Sequence, residues 1–186
     1  MAKDAVYQPE VRSQKVSAGL MFRLAQAQDS LFLAKLTAER HPSADWDETV
    51  RVSRREIGLN DTERRYRVFV VEEDGVLKGF CRLYHSQEVP ADKRKHDSPQ
   101  GWYCMGVIVE QAHRRQGIAM FLTRGRFEWL MGQGAEGVYS SASGHNLSSI
   151  AMHKKLGYRQ VGEVAGVLGI TFEEGWGHLF FKDLSS

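Results

Sequence analysis

Cysteine is scarce: Cys81 and Cys104 are the only two in 186 residues, and both sit in apolar, strand-like stretches. That excludes a disulfide scaffold and a cysteine-built zinc cluster, and it marks both thiols as buried packing residues. No metal site is expected. Long apolar runs are missing too. Nothing approaches the roughly 18 residues a membrane helix needs, and the start MAKDAVYQPEVRSQK lacks the apolar core of a secretory signal. A cytoplasmic location with no membrane partner follows as the expectation. Nor does charge of one sign dominate. Twenty-five basic residues face twenty-three acidic ones, for a net +2. Arg51, Arg54, Arg55, Arg64, Arg65 and Arg67 are interspersed with Glu48, Glu56, Asp61 and Glu63. A nucleic-acid partner is therefore disfavoured. Several site motifs are absent as well. GxxxxGK followed by Ser or Thr, GxGxxG, GxSxG and HExxH do not occur, which argues against a P-loop nucleotidase, a dinucleotide enzyme, a serine hydrolase and a zinc protease.

What remains is an ordinary globular composition, 42% hydrophobic and 26% charged. The chain reads as one domain over residues 1–186, with residues 1–17 a flexible leader. Leu20 to Leu24 reads as a strand, Asp29 and Ser30 cap a helix over Leu31 to Leu36, and Asp45 to about Asn60 forms a second, more exposed helix. The runs Tyr66–Val71 and Val76–Tyr84 meet at Asp74-Gly75 as a hairpin. Glu88 to Gln100 reads as a long solvated loop. After it come a strand (Trp102–Val109), a helix (Ile118 to about Met131), a strand (Val138–Ala142) and a helix (Asn146–Leu156). The last extended pieces are Tyr158–Leu168 and His178–Lys182. The order β-α-α-β-β-β-α-β-α-β-β implies an α/β fold, a mixed sheet flanked by helices with parallel pairing at the helical crossovers.

The informative stretch is Val107 to Ala119, a strand entering a short basic turn that opens a helix. Backbone N–H groups in a helix's first turn lack internal partners and carry the positive end of its dipole, so they suit a pyrophosphate. Gly117 and Ala119 keep side chains out of the way. Arg114 and Arg115 would oppose the dipole of an empty helix but complement a bound anion. The alternative is an exposed, solvated turn.

Arg114-Arg-Gln-Gly117-Ile-Ala119 resembles the acetyl-CoA signature Q/R-x-x-G-x-G/A of the GNAT acyltransferase superfamily. A second segment, Asn146 to Tyr158, is similar to that family's NxxAxxxYxxxGF pattern, with Ser149 for Ala, His153 for Tyr and Tyr158 for Phe. The resemblance implies the GNAT fold: a mostly antiparallel sheet whose fourth and fifth strands splay in a V, flanked by helices. It also implies acetyl-CoA as the cofactor. Val107, Ile108 and Val109 would pair with the pantetheine arm, and Arg114, Arg115, Gln116, Gly117, Ile118, Ala119 and Met120 would surround the pyrophosphate. Asn146 and Ser149 would lie on the far side of the cofactor. A homodimer is common among such enzymes.

In the family, a neutral amine attacks the thioester directly and an acid, usually tyrosine, protonates the departing thiolate. His153 takes the tyrosine's place, as acid or as base. The alternative is packing, because Ser149, Met152, His153 and Leu156 share one helix face. Phosphinothricin-type acetyltransferases have a glutamate where Cys104 stands, and ribosomal-protein acetyltransferases have one where Ser141 stands. Neither base is present here. Glu110, at the end of the cofactor strand, is the candidate base through water, or else an exposed strand-end residue.

Acceptor specificity in the superfamily comes from the region between the first two helices and from the last hairpin. Asp45, Trp46 and Asp47 in the first, with Glu173 and Glu174 in the second, would suit a small cationic amine. They would equally serve as helix caps and hairpin packing. The segment Val109 to Ile118 is also similar to aminoglycoside 2'-N-acetyltransferases, so an aminoglycoside-type antibiotic is the expected acceptor. The alternatives are a protein N-terminal or lysine acetyltransferase and a non-catalytic acyl-CoA sensor.

Overall fold

The computed structural model describes residues 18–62, 65–94, 96, 98–172 and 175–185. In chain order its elements are β1 (Met21–Leu24), α1 (Ser30–Arg40), α2 (Trp46–Gly58), β2 (Tyr66–Glu73), β3 (Val76–His85), β4 (Trp102–Val109), α3 (Ile118–Gly132), β5 (Gly137–Ser143), α4 (Leu147–Lys155), β6 (Arg159–Val164), β7 (Gly166–Val167), β8 (Ile170–Thr171) and β9 (Gly177–Asp183). The main sheet runs β1-β2-β3-β4-β5-β9-β6, and β7 and β8 form a separate two-stranded ribbon. Helices flank a mostly antiparallel sheet. The strands β4 and β5 pair in parallel at only two positions, Trp102 with Val138 and Tyr103 with Tyr139, although they have eight and seven residues. Among the described residues no helix is long and apolar enough to cross a membrane.

The chain gathers into two compact units. The first takes the described residues up to Arg82 together with Gly106–Gly125. Its core joins Leu33 and Leu36 of α1, Ile57 of α2, Val68 and Val70 of β2, Phe80 of β3 and Ile108 of β4. Each such side chain contributes about 1.5–3 kcal/mol on burial. Helix α2 turns Thr49, Val50, Ser53 and Ile57 inward and its charges other than Glu56 outward, the one-sided pattern of a surface helix. Asp45 is its N-cap, with the carboxylate accepting the Glu48 N–H at 2.8 Å. The β2–β3 hairpin turns through Asp74 and Gly75, both at positive φ, as the matching two-residue turn requires.

The second unit comprises Leu83–Met105 and the described residues from Arg126 onward. Tyr103, Val167, Leu168 and Leu179 make its core, with Tyr84 and Tyr139 stacked on Tyr103. Along β5, buried and partly exposed residues alternate strictly, so Val138, Ser140 and Ala142 face inward. Most described residues of Glu88–Gln100 are exposed and none is buried, as expected of a solvated loop, yet the stretch is tied down. Short 3₁₀ turns interrupt it, Ser98 Oγ accepts the Leu168 N–H, and the His96 N–H donates to Leu168 O. Pro99 O accepts the Tyr103 hydroxyl, and Arg94 donates to Val89 O and Ser86 O.

Candidate active site

In the first unit, β4 leads through Glu110 into the turn and so into α3. Two residues of that turn adopt left-handed backbone, Arg115 at φ 65° and Gly117 at φ 80°. A glycine suffers no Cβ clash there, whereas the arginine holds a conformation that L-residues disfavour. The first intrahelical bond runs from the Phe121 N–H to Gly117 O at 3.0 Å. The N–H groups of Ile118, Ala119 and Met120 therefore lie ahead of the helical ladder, at the positive end of its dipole. Arg114 and Arg115 are exposed beside them. Arg114 Nε donates to Val109 O at 3.1 Å, and Gln116 Nε2 donates to Ala112 O at 3.3 Å, so both side chains brace the turn. The local chemistry is that of an anion cradle.

Glu110 belongs to the same stretch. Its Oε1 accepts from Lys35 Nζ at 2.7 Å, and its Oε2 lies 3.6 Å from His113 Nε2. The carboxylate raises the Lys35 ammonium above its ordinary value. Also in this unit, Asp45 is engaged as a helix cap, while Trp46 and Asp47 are exposed in the first turn of α2.

In the second unit, Asn146 caps α4, its Oδ1 accepting the Ser149 N–H at 3.0 Å. One turn on, His153 is 4% exposed. Its Nδ1 lies 2.6 Å from Ser149 O and its Nε2 lies 2.8 Å from Ser140 Oγ, which in turn sits 2.9 Å from Cys104 O. The ring stacks on Phe180, with centroids 4.5 Å apart, and meets Tyr158 edge-on. Burial pushes the imidazole down to about 4, against the Ser149 carbonyl that favours the charged form, and the Arg126 charge pushes the same way as burial. The ring is neutral at pH 7.

Proton counting sharpens this. A carbonyl only accepts, so Nδ1 carries the ring's one proton. Nε2 and Cys104 O then compete for the single Ser140 hydroxyl proton, and all three links fill only when the ring is charged. Around this network lie Cys104, whose thiol burial pushes up, and Arg126, 1% exposed, which donates to Met105 O at 3.1 Å.

The structure thus brings Val107–Glu110 and Arg114–Met120 together in the first unit, and Asn146, Ser149 and His153 together in the second. Glu173 and Glu174 lie outside the described residues. Sequence reasoning missed Ser140 and Arg126, because their roles rest on contacts between distant segments. It also missed Gly106, at φ 58° in the middle of β4. An isolated glycine in an apolar strand was the available signal.

A model of the acetyltransferase (GNAT) family matches residues 28–158. The chain belongs to the GNAT acetyltransferase family. It is an acetyl-CoA-dependent N-acetyltransferase. No curated protein sequence matches it. Among solved structures, the spermidine N-acetyltransferase from Vibrio cholerae in complex with CoA and spermine superposes with a TM-score of 0.67 at 18% identity, over 91% of this chain and 98% of that one. A dodecameric structure of spermidine N-acetyltransferase from the same organism gives 0.66 at 17%, over 91% and 96%. A protein from Desulfovibrio desulfuricans assigned to the GNAT family gives 0.65 at 13%, over 89% and 99%. At these identities the likeness establishes the GNAT fold.

Proposed function

We propose that this acetyltransferase moves the acetyl group of acetyl-CoA to a primary amine of a small polycationic molecule. The anion cradle at Arg114–Met120 carries the reading, because its open N–H groups, two left-handed residues and exposed arginines fit a pyrophosphate. In this reading the backbone of Val107, Ile108 and Val109 pairs with the pantetheine arm; Asn146 and Ser149 are further proposed cofactor-binding residues. When bound, acetyl-CoA supplies an activated thioester. The chain's own residues hold it in line and handle the protons of the incoming amine. Glu110 is the proposed acceptor of those protons through water, its carboxylate held in place by Lys35. His153 is proposed to act as a neutral positioning ring, its nitrogens engaged by Ser149 O and Ser140 Oγ.

For the acceptor, Asp47 and Trp46 offer an exposed carboxylate beside an exposed aromatic face, which suits an ammonium-rich chain or ring. Glu173 and Glu174, the other acceptor residues expected from the sequence, lie outside the described residues. A linear polyamine is the first candidate, supported by the spermine complex of the Vibrio cholerae enzyme. An aminoglycoside is the second, supported by the short similarity of Val109–Ile118. We propose a homodimer as the minimal assembly. Thiol release from acetyl-CoA across polyamines, aminoglycosides and N-terminal peptides tests the reading. Turnover confined to peptides would replace it with protein modification. Acetyl-CoA binding with no turnover on any amine would replace it with an acyl-CoA sensor.

A further inference from the structure

Three neighbouring strands of the first unit carry a polar row beneath α2. Tyr66 on β2, Arg82 on β3 and Gly106 on β4 follow one another in the sheet order. Glu56 comes from α2. Its Oε1 accepts the Tyr66 hydroxyl at 2.8 Å, and its Oε2 accepts Arg82 Nε at 2.9 Å and Arg82 Nη2 at 2.8 Å. The guanidinium also lies over the Phe80 ring, 4.8 Å from its centroid. Fixed in this way, Arg82 abuts the glycine. A Cβ on Gly106 would meet Arg82 Nη1 at 3.1 Å, and the glycine's φ of 58° is one that a larger residue resists.

A left-handed residue inside a strand re-aims the backbone groups beside it. On the proposed cofactor reading, on which this inference rests, the arm runs from the turn back along Val109, Ile108 and Val107. Its thioester end therefore reaches Gly106. We propose that Arg82, clamped by Glu56 and Tyr66, is a positioning residue that fixes the Gly106 kink and so aims the backbone N–H groups of β4 at the thioester carbonyl. Such donors act only where they are pre-aimed, so the clamp's value lies in kcat rather than in binding.

The pair suggests its own control. Removing one member of a half-buried ion pair strands the other, whereas replacing both with apolar residues is often tolerated. The test is the double variant Glu56→Leu/Arg82→Met, compared with the parent in thiol release, acetyl-CoA affinity by calorimetry, melting temperature, and the amide resonances of Gly106 and Val107. The expected result is a melting temperature close to the parent's, acetyl-CoA affinity within about threefold, kcat down about tenfold or more, and both amide resonances displaced. Turnover within about twofold of the parent, or unmoved resonances, would overturn the proposal. If the double variant does not fold, Tyr66→Phe keeps the ion pair and removes only one brace. A kcat lowered about threefold with affinity retained then supports the clamp, and an unchanged kcat refutes it. Should the parent itself acetylate no amine, the transfer reading fails, and the Gly106 and Val107 resonances still decide this inference.

Discussion

The Arg114–Met120 turn and the His153 neighbourhood treat their polar groups in opposite ways. In the turn, N–H groups at the head of α3 precede the helical ladder, and the arginines around them are exposed. Around His153, both ring nitrogens, the Ser149 carbonyl, the Ser140 hydroxyl and the Cys104 carbonyl are directed at one another in a nearly dry interior. Hydrogen-bonding capacity left open is what a ligand can use. Capacity closed on itself holds a fold together.

The sharpest way to break this contrast is to fill the open region. Arg115→Ala with Gly117→Asp puts a carboxylate and a disfavoured φ where a pyrophosphate is expected. Acetyl-CoA affinity should fall at least about a hundredfold by calorimetry, with melting lowered by only several degrees, the cost of a side chain at the left-handed position 117. Retained affinity would mean that the turn holds no anion.

His153→Ala probes the closed region. It removes a stacked, buried ring and strands the Ser140 and Ser149 groups, so urea unfolding should report a loss of about 3 kcal/mol or more. Acetyl-CoA affinity should persist. Unchanged stability with a collapse of kcat would make the ring a reagent and not a strut.

A pH experiment reads the same ring without deleting it. The folded state holds His153 near 4, and its unfolded value is about 6.5, so the unfolded chain binds the extra proton first as pH falls. The ring's contribution is complete above about pH 6.5 and should decline by about 3 kcal/mol as pH drops toward 4. A His153→Gln variant should lose this part of the slope in chemical denaturation run at successive pH values. An identical slope would place the acid sensitivity elsewhere.

The smallest effect belongs to Asp45, whose carboxylate caps α2. Asp45→Ala should cost about 1 kcal/mol by denaturant midpoint while leaving KM for the amine unchanged. A raised KM with unaltered stability would return Asp45 to the acceptor site.

Much of this was legible in the sequence wherever the signal was local. Asp74-Gly75, the Asp45 cap, the Val138–Ala142 strand and the strand–turn–helix around Gly117 are written in neighbouring residues, and the elements formed where those signals stand. Of the partners of His153, Ser149 was legible from helical spacing, while Ser140 and Phe180 were not. Residues 140, 153 and 180 meet only when α4 packs in the second unit, and no spacing rule announces a meeting across thirteen or more residues. The prolines and charges of Glu88–Gln100 announced its exposure, but not the bonds to Leu168 and Tyr103 that tie it down, because those partners lie in other segments. Glu56 and Arg82 hid among other surface-looking charges, because their side chains and that of Tyr66 meet only across segments ten or more residues apart.

The most direct test of the account is thiol release from acetyl-CoA by the purified protein with spermidine, other polyamines and aminoglycosides, run beside the Arg115→Ala/Gly117→Asp variant. The account predicts saturable turnover on a polycationic amine by the parent and none by the variant. Equal turnover by both, or a parent that acetylates only peptides, would contradict it.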